Sequence, residues 1–377
     1  MSAALRNNPA PVPSTCAECG ILDTCGGWDD DRRTKGCFQK CAECFDEPCD
    51  YTCPANAALF VKSIDEVGGL GKLPDRLRPP GEECVSLPAY IPQIEHGGNR
   101  QRVLKESSVV SVPLSRLCRF NRHGRLELLF RSRERLLDQL KLSQRTRIIV
   151  TCVTKDRWIE GLYEERSRLL PLLRLLDPVA VTVPNFSFVR NTPRSNSIWN
   201  QTKGFRMIED MSDAELPVIP HLQAQTTRDW KKLEELFSRF PYLQHACVEF
   251  QTGLHKEDSD YPAREIYKRH FQALQESTGG KIHPIVLGGY QEIGFFSMIC
   301  PSFSIIDANV FVKTANYQEA YVLAGARRRW KTASWAKSQD QAALLERNIA
   351  IEREFLFLKH GLAQDGRPID PFLLPAA

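Results

Sequence analysis

From Thr146 to the end of "SFSIIDANVFV", short apolar runs and helical patterns take turns along the chain, and this alternation narrows the fold more than any other feature. "TRIIVTCV", "PVAVTVPNF", "LPVIPHL", "HACVEFQ", "KIHPIVLGG" and "SFSIIDANVFV" read as strands. "RWIEGLYEERSRLLPLLRLL", "SNSIWNQTKGFRMIEDM", "TTRDWKKLEELFSRF", "PAREIYKRHFQALQES" and "QEIGFFSMI" read as the helices between them. Two earlier runs, "LPAYIPQI" and "SSVVSVPLSRL", bring the strands to eight. Apolar strands separated by helices form βαβ units and a parallel sheet. Eight units fit a (β/α)8 TIM-like barrel, whose usual length is about 250 residues; a doubly wound open sheet is the other arrangement the pattern allows. No glycine-rich phosphate fingerprint follows a strand, which argues against a dinucleotide-binding fold. The expected class is α/β, with the barrel over 87–316, a kink at Pro171, and a helical extension over 317–377 whose long helix runs from Tyr317 to Leu362.

Ahead of the barrel lies a different kind of sequence. Eight of the 13 cysteines fall between Cys16 and Cys53. The opening "MSAALRNNPAPVPST" has no apolar core of a secretory signal, and no apolar run approaches the roughly 20 residues of a membrane helix. The expected setting is cytoplasmic, away from membranes, where thiols stay reduced; metal is then favoured over disulfides. Cys16-x2-Cys19-x5-Cys25 and Cys37-x3-Cys41-x2-Cys44-x4-Cys49-x3-Cys53 place thiolates at the short spacings that wrap one ion or cluster. They would hold an iron–sulfur cluster (4Fe–4S) or zinc. Cys37, Cys41 and Cys44 also have the C-x3-C-x2-C spacing with which radical enzymes use S-adenosylmethionine, although Glu43 stands where an aromatic is usual. The chain is expected to divide into a flexible start (1–15), a Cys-rich metal-binding module (16–64), a linker (65–86), the barrel and the extension. Cys152 and Cys247 lie inside strand patterns and read as core.

In a (β/α)8 enzyme the working residues stand at the C-terminal strand ends. That rule nominates Asn185, His221, Glu249 and Asp307 as catalytic, and Gly288, Gly289, Arg190 and Asn309 as substrate-binding. Alternation sets Glu249 opposite Val248 and Phe250, toward either the barrel interior or the helices. Charge adds a hint about partners. Residues 1–60 carry nine acids against five bases, the remainder 37 against 45, so the later part is mildly basic and compatible with nucleic acid. "GARRRWKTASWAKSQ" interleaves bases with tryptophans, which nominates Arg328 and Trp330 for phosphate and base contact.

The stretch "KIHPIVLGGYQEIGFFSMICPSFSIIDANVFVKTANY" resembles the last two barrel units of tRNA-guanine transglycosylases. Leu287-Gly288-Gly289 stands at the glycine-rich turn and Ile306-Asp307-Ala308 at the "FDS" strand end. DNA-modifying relatives that insert deazaguanine bases are a looser match. "VPNFS", 183–187, is similar to a strand end of a bacterial family of unknown function. The resemblance implies a (β/α)8 barrel, a modified purine and base exchange on DNA or tRNA. The family's zinc site has no counterpart, and Asp307 matches a structural part of the pattern. The expected function is a metal-containing transferase acting on nucleic acid or a nucleotide-like substrate. The alternatives are a non-catalytic nucleic-acid or protein binding module with structural zinc, and a radical S-adenosylmethionine enzyme.

Overall fold

A computed structural model describes residues 21–25, 51–53, 56–79, 86–96, 108–188, 193–250, 263–323, 327–337 and 341–369. The strands are β1 Tyr90–Pro92, β2 Val109–Pro113, β3 Cys118–Phe120, β4 Leu126–Leu128, β5 Arg147–Thr151, β6 Ala180–Thr182, β7 Val218–Ile219, β8 His245–Glu249, β9 His283–Leu287, β10 Ser304–Asp307, β11 Gln318–Leu323 and β12 Arg327–Thr332. The helices are α1 Leu22–Cys25, α2 Ala57–Val67, α3 Leu114–Leu117, α4 Arg133–Leu140, α5 Asp156–Glu164, α6 Arg166–Arg174, α7 Arg194–Asp213, α8 Thr227–Arg239, α9 Ala263–Ser277, α10 Ile293–Ile299, α11 Asn309–Ala315 and α12 Gln341–His360.

Eight of these strands form two parallel sheets, ordered β1-β10-β9-β8 and β2-β5-β6-β7. Single parallel bridges, Gln93–Ser111 and His221–Cys247, join the two sheets at both flanks. Strand alternation gives each sheet two apolar faces. Ile91, Val109, Ile149, Ala180, Ile219, Cys247, Ile285, Leu287 and Ile306 come from both sheets and pack together as one cluster. The residues between them, such as Val110, Val150, Val181, Val248, Val286 and Ile305, pack into a larger cluster with the helices. We call these the shared face and the helix face.

The helices form for local reasons. Thr226 caps α8 reciprocally with Asp229, and Trp230, Leu233, Leu236 and Phe237 supply its buried stripe. Helix α7 is unusual: it buries Ser195, Asn196, Ser197, Asn200, Gln201, Thr202 and Lys203. Several of these side chains bond backbone packed around the helix. Asn196 Oδ1 accepts from Thr52 N (3.1 Å), Ser195 Oγ donates to Thr52 O (2.5 Å) and Thr202 Oγ1 accepts from Gly71 N (2.8 Å). Lys203 chelates Glu160 through both carboxylate oxygens at 2.8 Å and lies over the Trp199 and Phe186 rings.

Several elements depart from expectation. The helix expected over 157–176 breaks at Glu165 into α5 and α6, with Pro171 inside α6. The kink expected at Pro171 is not where the helix breaks: α6 runs through the proline, and the break falls six residues earlier. "SFSIIDANVFV" is half strand: Asp307 Oδ1 accepts from Asn309 N (3.1 Å), turning the chain into α11. The helix expected from Tyr317 to Leu362 begins only at Gln341; 318–332 is the antiparallel hairpin β11–β12. Its period is two, with Arg328 and Trp330 part-buried between exposed Arg327, Arg329 and Lys331, and that period overrides helix propensity. A second hairpin, β3–β4, is turned by Asn121, whose Oδ1 accepts from His123 N and Arg125 N. Helix α2 crosses the module boundary expected at residue 64.

Candidate functional site at the strand C-termini

The shared face turns polar toward the C-terminal ends of its strands. Alternation from Val109, Ile149, Ala180, Ile219 and Cys247 places Ser111, Thr151, Thr182, His221 and Glu249 on that face. Thr182 Oγ1 accepts from Cys152 N at 2.8 Å. Four buried atoms here, Ser111 Oγ, Thr151 Oγ1 and both ring nitrogens of His221, have no hydrogen-bond partner among the described residues. A buried polar atom left alone costs about 1–3 kcal/mol, and such groups cluster where water, an ion or a substrate belongs. Burial pushes the His221 imidazole down to about 3, so the ring is neutral and offers one N–H donor and one acceptor. Glu249 stands two residues beyond Cys247, the bridge partner of His221. Strand spacing and rise put their Cα atoms about 8 Å apart.

The rim is hydrogen-bonded. Gln93 Nε2 donates to Glu95 Oε1 at 2.6 Å, and Arg116 Nε donates to Glu95 Oε2 at 2.7 Å. Asn185 Oδ1 accepts from Thr154 N at 3.1 Å, tying the chain beyond β5 to the chain beyond β6. Ser187 Oγ donates to Asp156 Oδ1 at 2.6 Å. Asn185 is thus at the expected rim, engaged in holding a loop.

Asp307 is not with His221 and Glu249. It pairs in register with Pro92, two positions after Tyr90 and Ile305, which both belong to the helix-face cluster. Its surroundings are Tyr90, Tyr290, Arg328 and Glu352. The Tyr290 hydroxyl donates to Glu352 Oε1 (2.8 Å), and Arg328 ion-pairs with Oε2 of the same carboxylate. Asp307 Oδ2 and the Tyr90 hydroxyl are buried without a described partner. Burial pushes the Asp307 carboxyl up, opposed by the Asn309 backbone bond and the Arg328 charge. The expected inward grouping of Asp307 with Glu249 fails because Asp307 shares strand parity with Ile305 rather than Ile306.

The other nominees divide. Gly288 has φ +70° and forms the turn. At Gly289 a Cβ would lie 2.3 Å from Val286 Cγ1 and 3.1 Å from Phe250, so the missing side chain accommodates the fold's own atoms rather than a ligand. Asn309 gives its backbone N–H to Asp307. Arg328 and Trp330 lean inward: Arg328 lies over the Tyr290, Trp330 and Phe355 rings, and Trp330 packs on the core. Arg190, Cys16, Cys19, Cys37, Cys41, Cys44 and Cys49 lie outside the described residues. Cys25 closes α1 and is part-buried; Cys53 is buried beside Thr52, which α7 holds. Among the described residues no group of three or more His, Cys, Asp or Glu is arranged to hold a metal ion. Cys152 and Cys247 are fully buried, and burial pushes both thiols up. Ser111, Thr151 and Thr182 were missed. The signal was available: a hydroxyl residue between β-branched neighbours, at the parity of a nominated strand end.

No protein-family model matches the sequence, and no curated protein matches it. Among solved structures the chain is similar to a sialic acid aldolase from Aliivibrio salmonicida, with 12% identity over 62% of this chain and 70% of that one and a TM-score of 0.25. No helix among the described residues is long and apolar enough to cross a membrane.

Proposed function

We propose that the two sheets close into a (β/α)8 barrel and that the chain is a metal-containing enzyme acting on nucleic acid or a nucleotide-like substrate, by base exchange. The bridges Gln93–Ser111 and His221–Cys247 support closure. What carries the catalytic reading is the set of unpartnered polar atoms on the shared face at the strand C-termini, where barrels of this kind do their chemistry. Glu249 supplies the carboxylate that displacement at a glycosidic carbon needs. Neutral His221 presents a donor and an acceptor to a heterocyclic base, and the Ser111 and Thr151 hydroxyls present further bonds. Cys16, Cys19, Cys25, Cys37, Cys41, Cys44, Cys49 and Cys53 hold the metal in this proposal, as an iron–sulfur cluster or zinc.

Two measurements test it. The protein is incubated with radiolabelled guanine and either tRNA or duplex DNA. Wild type transfers label into polymer, and Glu249→Gln lowers transfer at least 100-fold with unchanged melting. No transfer into either polymer sinks base exchange. Protein purified without oxygen is assayed for iron, sulfide and zinc: about four iron and four sulfide per cluster, or stoichiometric zinc, supports the metal module, and neither sinks it.

A further inference from the structure

The basic run was nominated for Arg328 and Trp330, but the hairpin turns those two inward and the other bases outward. In β12, Arg327, Arg329 and Lys331 are exposed, opposite Leu323, Tyr321 and Glu319 of β11. Leu323 is itself exposed and Tyr321 part-exposed, with Lys331 5.6 Å from the Tyr321 ring centroid. Successive cations on one strand face stand about 6.7 Å apart. Glu319 is the acid on this face. It lies at one end and is shared by Lys331 (3.4 Å) and Arg347 (2.7 Å), the latter exposed as well. Arg327, Arg329, Lys331 and Arg347 against Glu319 leave a clear positive excess, with an aromatic ring and an apolar side chain among the charges. The inward side chains anchor the hairpin: Arg328 ion-pairs with Glu352 and lies over the ring of Tyr290, the residue that follows the β9 turn. The hairpin is thereby tied to the strand-end rim.

We propose that the outer face of the β11–β12 hairpin binds the phosphate backbone of nucleic acid, with Arg327, Arg329 and Lys331 as phosphate contacts and Tyr321 as a stacking surface. This deepens the reading of the substrate as nucleic acid and rests on it for its biological sense. A two-stranded ribbon also suits the major groove, about 12 Å wide. Charges on a free hairpin edge can instead guard against strand pairing; that role leaves nucleic-acid binding unaffected.

The test uses the full chain and a fluorescent 20-base-pair duplex of arbitrary sequence, with anisotropy read across salt. Three released counterions predict a log–log slope near 2.7, about a 40-fold loss of affinity between 50 and 200 mM salt. The triple variant Arg327→Ser, Arg329→Ser, Lys331→Ser is expected to bind at least tenfold more weakly at 50 mM salt with a shallower slope. A charge-matched control, Arg145→Ser, Lys231→Ser, Lys281→Ser, alters exposed bases elsewhere and is expected to bind within twofold of wild type. Equal loss in both triples, or unchanged binding in the hairpin triple at wild-type melting temperature, overturns the proposal. Equal wild-type affinity for polyglutamate or for vesicles of anionic phospholipid also overturns it. Duplex binding by wild type without base exchange sinks the catalytic reading alone, and duplex binding without hairpin dependence sinks this one alone.

Discussion

Glu249 and Asp307 both end a strand, yet they face opposite ways, and this sets what each can do. Burial raises the Asp307 pKa against the Asn309 backbone bond and the Arg328 charge, so folding disfavours its ionised form. Stability attached to it is therefore lost as pH rises above the ordinary carboxylate range. Asp307→Asn keeps the bond from Asn309 N and removes that loss: it is expected to melt at or above wild type at pH 8 and to retain activity. A melting point lower by several degrees, or abolished activity, would refute this placement. His245 and His283 lie at the other ends of their strands, with rings 5.2 Å apart. His283 bonds Ser302 (2.7 Å) and Ser304 (2.9 Å). Burial pushes His245 to about 4 and His283 to about 3, the latter helped by His245. Both are neutral in the fold and protonate more readily unfolded, so no stability changes hands above about pH 6.5. Below it, each removes up to about 1.4 kcal/mol per pH unit until its folded pKa is reached. Urea titrations at pH 7, 6 and 5 are expected to show this fall, reduced by about a quarter in His245→Phe because burial pushes His221 and His360 down as well; an equal slope in the variant would exclude His245 as a source.

At the scale of elements, helices α7 and α8 are joined by a buried ion pair. Asp229 pairs with Arg194 and also accepts from Gln225 N (2.9 Å) and Thr226 N (3.0 Å), closing the cap of α8. Both side chains are nearly inaccessible. Asp229→Ala removes the carboxylate from a buried ion pair and opens the cap, and is expected to cost about 3–5 kcal/mol, read as a shift in the urea midpoint at constant slope. Reading periods from the sequence worked for α8, whose Thr226 cap and apolar stripe are local. It failed for β11–β12, where helix-forming residues sit in a period-two pattern whose inward members matter only because Glu352 of α12 lies beneath them. It failed again at α11, because one Asp307–Asn309 turn ends the strand early.

For the whole molecule, helix α7 explains how residues 51–53 and 56–79 belong to the fold. Its buried Ser195, Asn196, Thr202 and Ser212 side chains bond backbone groups of Thr52, Gly71 and Arg78. A chain starting at residue 80 is expected to be insoluble or to melt at least 10 °C lower, measured by soluble yield and thermal unfolding; a fully stable fragment would show α7 self-sufficient. The α/β class and the parallel sheets were legible in the sequence, because apolar periodicity and strand alternation are local properties that burial on both sheet faces enforces. The strand-end rule nominated His221 and Glu249, which the structure places on the shared face. Ser111, Thr151 and Thr182 were not nominated, since a hydroxyl carries no signal until its strand's parity is fixed. Which way Asp307, Arg328 and Trp330 point was decided only by tertiary structure. Facing is relative: a side chain acquires an inside and an outside when register and packing choose which neighbours it meets, and those neighbours, Tyr90, Tyr290 and Glu352, come from distant parts of the chain.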